Sequence, residues 1–413
     1  MKISSNITII TASILTSFLL IGCGSDSNSS STTTSTFDGQ LVDSYVENVD
    51  YICGDGVTGI TDIDGRFSCE SLPIKFKIGG IELGELTNLP IDKQVFPQDL
   101  VGVDRNDTTN EDVKAMARLL QSCDEDSQAR NGIKIQERVR ANLNNMNEKF
   151  DAQNLQTYVD TAEVVLADEN TSVEHLEDTT EFVDAVNDAS SVPAIVKDAL
   201  LTPSYTLSQE VKNTLAYMGN EERLAHDVYM KLYEFYPLTQ FINVATNGER
   251  SHIESVQLLI QKYISSYDEF TNIDLPELGY KEAAIEDMNS GVYDISDIQN
   301  LYDSLIVIGQ QSEQDALEVG CMIEVTDIND LLEDIELAEE SGATDVVTTF
   351  EFLRDGSYSH YWAFDKALVS MGIAEGCCVA GAEYCHPEYP QNSTGGGSGD
   401  APHDGTGQQK GKN

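Results

Sequence analysis

Six side chains able to bind metal or move protons fall on faces of the chain that should be buried: Glu222, Glu249, His252, Glu324, Asp327 and His360. They interrupt four apolar seams. The first runs Leu215, Met218, Glu222, Ala225, Tyr229 and Leu232, and the second Ile242, Ala245, Glu249, His252, Val256, Leu259 and Tyr263. The third is Leu317, Cys321, Glu324, Ile328, Leu331 and Ile335, with Asp327 one turn from Glu324; the fourth is Val346, Phe350, Leu353, Ser357, His360, Phe364 and Ala367. Steps of three and four keep each seam on one helix face, and its apolar members mark that face as the buried one. Buried without partners, each ion would cost several kcal/mol, and neighbouring carboxylates would raise one another's pKa. Divalent cations remove that penalty. Four carboxylates can neutralise two of them, two imidazoles complete the donor set, and Glu249 and His252 at i and i+3 can reach one ion from a single helix turn. Oxygen-rich ligation with two histidines favours two Fe or Mn ions over structural zinc, which prefers Cys and His.

Four long helices must position these groups. Their phrases are Glu221-Glu222-Arg223-Leu224-Ala225-His226-Asp227-Val228-Tyr229, Glu249-Arg250-Ser251-His252, Ile323-Glu324-Val325-Thr326-Asp327-Ile328 and Gly356-Ser357-Tyr358-Ser359-His360. Together they resemble a ferritin-like di-iron carboxylate bundle, in which two helices give one Glu each and two give a Glu-x-x-His pair. Within that group the region is similar to an uncharacterised bacterial and archaeal family, the domain-of-unknown-function 2202 type. The resemblance covers about 160 residues and implies a ferritin-like four-helix bundle over 201–375, a di-metal centre, and chemistry on iron, dioxygen or peroxide. It also implies one long crossover, expected between about 265 and 310.

One position departs from the pattern. Ser357 stands where the fourth helix would carry its paired Glu, and Asp355 and Glu351 point to other faces. Either Asp327 takes over the lost ligand, or one metal position is open or weak. Glu221 competes with Glu222, but the spacing to Ala225 and Tyr229 favours Glu222. His226 is expected on the surface. Tyr229 is expected in the core, the alternative being a hydroxyl bonded to a ligand carboxylate. Cys377, Cys378, Cys385 and His386 suit either disulfides capping the end of the helical region or a soft-metal site.

The rest of the chain divides by composition. Lys2 and an apolar run from Ile7 to Ile21 end at Leu20-Ile21-Gly22-Cys23, which looks like a lipoprotein signal peptide over 1–22 with lipidation of Cys23. Residues 23–36 are a tether; ten of the 13 residues from Gly24 to Thr36 are Ser or Thr. Gly24 after the Cys favours, by resemblance to sorting rules, a lipid anchor in the bacterial outer membrane. Residues 37–100 read as a small β module, with strands at 37–49, 66–69, 74–78 and 81–83. Export makes a Cys53–Cys69 disulfide the expected pair, and the seven cysteines beyond Cys23 leave an odd thiol. Asp62, Asp64 and Gly65, and the acids at 124–126, suit either calcium or tight-turn chemistry. An acidic helical region fills 101–200; between Asp160 and Asp188 there are ten acids and no Lys or Arg, as on a solvated face. Residues 376–413 are a Cys-containing end and a disordered Gly-rich tail.

The fold class expected is therefore multidomain, a small all-β module followed by an all-α region. With 24 Lys plus Arg against 71 Asp plus Glu, the formal net charge of −47 excludes nucleic acid as a partner and favours cations. The resemblance, joined to the lipoprotein-like leader, implies a membrane-anchored oxidoreductase with a di-metal centre. The alternative is a non-catalytic metal-binding or surface-interaction lipoprotein.

Overall fold

The computed structural model describes residues 36–264, 285, 288–293 and 295–391. The expected leader, the expected lipidation of Cys23, the expected tether up to residue 35, most of the expected crossover and the expected tail from residue 392 lie outside them.

A strand-rich N-terminal region is followed by an all-helical one. The first comprises β1 (Phe37–Leu41), β2 (Val46–Glu47), β3 (Asp50–Ile52), β4 (Thr58–Ile60), β5 (Arg66–Cys69), β6 (Ile74–Ile78), β7 (Ile81–Leu86) and β8 (Gln94–Val95). In β6 the side chains of Ile74, Phe76 and Ile78 are buried while Lys75 and Lys77 are half-exposed, the alternation of a sheet with one wet face. One sheet has the order β5-β1-β8, and the other runs β7-β6-β3-β4, with a later two-residue strand (Glu148–Lys149) beyond β7. The pattern at 37–49 does not run as one strand. It breaks at a tight turn closed by a Val42–Tyr45 bridge, because Ser44 adopts a φ of 26° that no strand accommodates. Asp62 serves the β4–β5 turn: its Oδ1 accepts from the amides of Asp64 and Arg66. Gly65 there has φ +68°, and a Cβ on it would lie 2.5 Å from the carbonyl oxygen of Leu41. Asp124 and Asp126 likewise accept from backbone amides, at Gln128 and Lys134 for the first and Gln128 for the second.

The packing of this region continues past residue 100. It takes in α1 (Pro97–Val101), α2 (Glu111–Ser122), β9 (Ile133–Lys134), α3 (Glu137–Leu143), β10 (Glu148–Lys149) and α4 (Leu155–Ala162). β9 runs parallel to β2 and β10 parallel to β7, and one apolar core extends from Leu41 to Ala162. Two-residue strands carry too little pattern to be read from sequence. Cys53 and Cys69 are joined by a disulfide inside this core, and Cys123 is a buried free thiol.

Helix α5 (Glu169–Asp188) opens on Asp168, whose side chain caps the amide of Thr171. It buries His175, Leu176, Thr180, Val183 and Val186 and turns its other face to solvent, with Arg118 and Arg130 pairing Glu169 and Asp178. After α6 (Ala194–Leu200) come α7 (Gln209–Phe235), α8 (Thr239–Asn243), a π-helical segment (Val244–Glu249), α9 (Arg250–Tyr263), α10 (Ser296–Gly309), α11 (Glu313–Ser341) and α12 (Thr344–Ser370). Ser208 and Ser312 cap α7 and α11, each through its side chain to the amide three residues on. Gly342, at φ +70°, ends α11 and lets the chain reverse into α12, against which α11 packs. Disulfides Cys321–Cys377 and Cys378–Cys385 fasten the turns after α12. Among the described residues no helix is long and apolar enough to cross a membrane.

Candidate metal centre

Helices α7, α9, α11 and α12 each turn a seam inward, and the ionisable members meet. Glu222, Glu249, His252 and Glu324 are at most 2% exposed, His360 is fully buried and Asp327 is 8% exposed. His252 Nδ1 stands 3.0 Å from Glu222 Oε2 and 3.2 Å from Glu249 Oε2. His360 Nδ1 stands 3.1 Å from Glu249 Oε1 and 3.4 Å from Glu324 Oε2. Glu249 thus lies between two halves, one oxygen toward Glu222 and His252, the other toward Glu324 and His360. The two imidazoles are 5.3 Å apart. Asp327 enters differently: its Oδ2 accepts a 2.6 Å hydrogen bond from Ser357 Oγ, so the residue at the irregular position acts through a carboxylate on the neighbouring helix. Tyr229, expected as core, donates its hydroxyl to Glu324 Oε1 at 2.5 Å and orients that carboxylate.

Two glycines make room for the rings. A Cβ on Gly248 would fall 2.1 Å from His360 Nε2, and one on Gly356 would fall 2.3 Å from His252 Nε2. Each ring therefore backs onto a glycine through Nε2 and faces the carboxylates through Nδ1. The π-helical segment ends at Glu249 and widens the turn carrying Gly248. It also shifts the register: Phe241 is buried and Ile242 only half-buried, one residue from the α-helical expectation, because a π turn takes up an extra residue.

The electrostatics are those of a site short of positive charge. Four carboxylates bring four negative charges, and two imidazoles can return two. Burial lifts Glu222 to about 7 and Glu324 to about 6, against the pull of His252 and His360 respectively. Burial also lifts Asp327, reinforced by Glu222. For Glu249, burial is outweighed by His360 and His252, which hold it below the usual range. Burial opposes charge on His360, but Glu249 and Glu324 raise it to about 10. Glu222 Oε1, Glu249 Oε1, Asp327 Oδ1 and both His360 ring nitrogens have no hydrogen-bond partner despite being buried. The short His360–Glu249 approach is therefore a contact of two atoms turned to the same space without hydrogen-bond alignment. Donor atoms of Glu249, His252 and His360 lie within 4.8 Å of one another, a span one ion can bridge. Convergent O and N donors with unsatisfied lone pairs fit divalent Fe or Mn.

The neighbours of the six behave less uniformly. Glu221 is buried, and burial first, then the charges of Asp330 and Asp327 on α11, push its carboxyl well above the usual range. His226 is partly covered, its Nδ1 3.1 Å from Asp227 Oδ1, a correction to its expected place on the surface; Gly291 and Tyr293 bond the neighbouring Asp227, and α10 packs against α7. Sequence reasoning also missed Arg223. It is fully buried, donates to the carbonyl of Val292 and lies 4.3 Å over the ring of Tyr293, whose hydroxyl bonds Asp227 at 2.8 Å. Arg223 and Asp227 at i and i+4 were the available signal. Cys377, Cys378 and Cys385 are all in disulfides, and the ring of His386 stacks on Tyr389.

Residues 211–378 match the family model described as an uncharacterized protein domain, DUF2202. The uncharacterized protein MJ0754 of Methanocaldococcus jannaschii is 34% identical over 170 residues, which make up 41% of this chain and 81% of that protein. The crystal structure of hypothetical protein MJ0754 from Methanococcus jannaschii aligns at a TM-score of 0.35 with 33% identity, over 41% of this chain and 86% of that one.

Proposed function

Taking as premise that this chain belongs to the DUF2202 family, we propose that residues 201–375 form a ferritin-like four-helix bundle holding two Fe or Mn ions, with oxidoreductase chemistry on iron, dioxygen or peroxide. The observation that carries this reading is the burial together of four carboxylates and two imidazoles, with donor atoms of Glu249, His252 and His360 within 4.8 Å of one another and several carboxylate oxygens unpartnered. Bound there, the ions would supply one-electron redox chemistry and Lewis acidity.

Glu249 would be shared between the two positions, Glu222 and His252 serving one and Glu324 and His360 the other. Tyr229 fixes Glu324 by its hydrogen bond, and Ser357 fixes Asp327, so neither carboxylate must be ordered when a cation arrives. Aromatic and apolar neighbours such as Phe352 and Phe364 keep water out and strengthen each charge interaction. In the same reading Cys23 carries a lipid that anchors the protein to the bacterial outer membrane.

Metal analysis of the full chain after aerobic expression with iron tests the centre. About two Fe or Mn per chain are expected, with loss in Glu249→Ala and His252→Ala. Full occupancy in both variants would rule the site out.

A further inference from the structure

Two disulfides meet at consecutive residues after α12. Cys321–Cys377 ties α11 to the turn at Gly376–Ala380, and Cys378–Cys385 closes a separation of only 7 residues beside it. The two bridges differ in exposure. Cys321 and Cys377 are fully buried, whereas Cys378 and Cys385 are partly exposed. A reductant in solution therefore meets the outer bridge and not the inner one. One tyrosine holds both. The carbonyl oxygen of Tyr361 lies 3.7 Å from Cys377 Sγ; its hydroxyl donates to the carbonyl of Tyr384 at 3.1 Å and accepts from the amide of His386 at 3.0 Å, on either side of Cys385. Asp365 Oδ1 accepts from the amide of Cys377 and fixes the turn further.

The inner bridge is also close to the centre in the fold. Cys321 is one helix turn from Glu324 on α11, and Tyr361 follows His360 on α12. Anchoring the chain after α12 needs one bridge, and a second over so short a loop gains least in loop entropy. What the second supplies is a sulfur next to the first. Neighbouring Cα atoms stand about 3.8 Å apart, closer than the roughly 4.4–6.8 Å of a resting disulfide, so a Cys377–Cys378 bond suits a transient and not an end state. Cys123, a free thiol, is buried in the N-terminal core and takes no part.

We propose that Cys378–Cys385 and Cys321–Cys377 form a thiol–disulfide relay that takes two electrons from a partner dithiol at the surface and stores them beside the centre. The dithiol opens the outer bridge and leaves as a disulfide, giving thiols at Cys378 and Cys385. The Cys378 thiolate attacks Cys377 Sγ, and Cys321 departs as a thiolate and takes a proton. Cys385 then attacks Cys378 Sγ, re-forming the outer bridge and freeing Cys377, which takes the second proton. Two electrons and two protons have moved inward, and the outer bridge is ready again. Re-forming the inner bridge releases them, and they are what one hydrogen peroxide needs to become two waters. The relay stands on the bridges alone; its service to the centre rests on the two-metal reading above.

Timed reduction of the full chain by dithiothreitol, with chelator present and each cysteine followed by alkylation and mass spectrometry, tests the relay. Cys378 and Cys385 are expected to open first and Cys321 and Cys377 to follow. In Cys378→Ser combined with Cys385→Ser, opening of the inner bridge is expected to slow at least about tenfold, because exchange depends on access to the sulfur attacked. Loss of the outer bridge by itself would loosen the segment and speed that opening, so slowing has one source. An inner bridge that opens as fast in the double variant as in the unaltered protein overturns the relay. Should the variant fail to fold, inner thiols that appear before outer ones in the unaltered protein overturn it. For the destination, fully reduced, iron-loaded protein receives one equivalent of hydrogen peroxide per chain. Cys321–Cys377 is expected to re-form before Cys378–Cys385; the reverse order overturns the service to the centre and leaves the relay standing. A chain that holds no metal after growth with iron overturns the two-metal reading alone.

Discussion

Gly356→Ala tests whether the close approach of His252 to the α12 backbone is a built feature. In an ordinary helix interior this exchange stabilises by roughly 0.5–1 kcal/mol, since alanine restricts the unfolded chain and favours the helix. Here the new Cβ would sit 2.3 Å from His252 Nε2 and 2.7 Å from Cε1. Ordinary contact between such atoms begins near about 3.5 Å, so the ring must move by about 1 Å. It has little room. The ring is 1% exposed, meets Phe352 edge-on at 5.4 Å, and faces Glu222 Oε2 at 3.0 Å through Nδ1. Retreat drives Nδ1 onto the carboxylates or swings the ring off its rotamer, an overpacking cost of about 1–3 kcal/mol. The clash outweighs the helical gain, and a net loss of about 1–2 kcal/mol is expected. Denaturant unfolding with a chelator in every sample measures it without metal linkage. With the ring removed by His252→Ala, the same exchange should stabilise by roughly 0.5–1 kcal/mol, giving a coupling near 2 kcal/mol in the double-mutant cycle. A Gly356→Ala protein as stable as the parent, with effects additive to His252→Ala, would refute the packing argument.

Two further outcomes are expected. Ser357→Ala removes the donor to Asp327 Oδ2, leaving a buried carboxylate whose other oxygen already lacks a partner; a loss of about 1–3 kcal/mol in denaturant unfolding is expected, and no change would mean that Ser357 only fills space. His175 is held down to about 4 by burial first and by Arg130 second, with Ser44 Oγ 3.2 Å from its Nε2. Between its usual 6.5 and about 4 the unfolded chain binds a proton that the folded chain refuses, so stability falls as pH drops through that window. The His175 contribution amounts to about 3 kcal/mol, and His175→Gln should flatten the slope by that amount; an unchanged slope would contradict it.

Much of the helical region was legible because an amphipathic helix writes its buried face into the sequence. The seams around Glu222, Glu324 and His360 are buried residue for residue along α7, α11 and α12. The seam through Glu249 is displaced upstream, from Ile242 to Phe241, because a π turn has no signature in apolar spacing. Short elements such as β9 and β10 stayed hidden, since two residues in a parallel pairing are specified by their distant partner and not by their own pattern. The disulfide partners Cys321 and Cys377 are 56 residues apart, a pairing no local reading can choose.

Sequence alone determined which side chains face inward: periodicity assigns each residue to a face, and that face carries four carboxylates and two histidines whatever lies opposite. Only the tertiary structure decided which of them share a space. Glu249 sits between the two imidazoles, and Asp327 is reached through Ser357. Those outcomes depend on glycines under the rings and on how far α7 lies from α11. Such distances across a core are set by packing between segments remote in the chain.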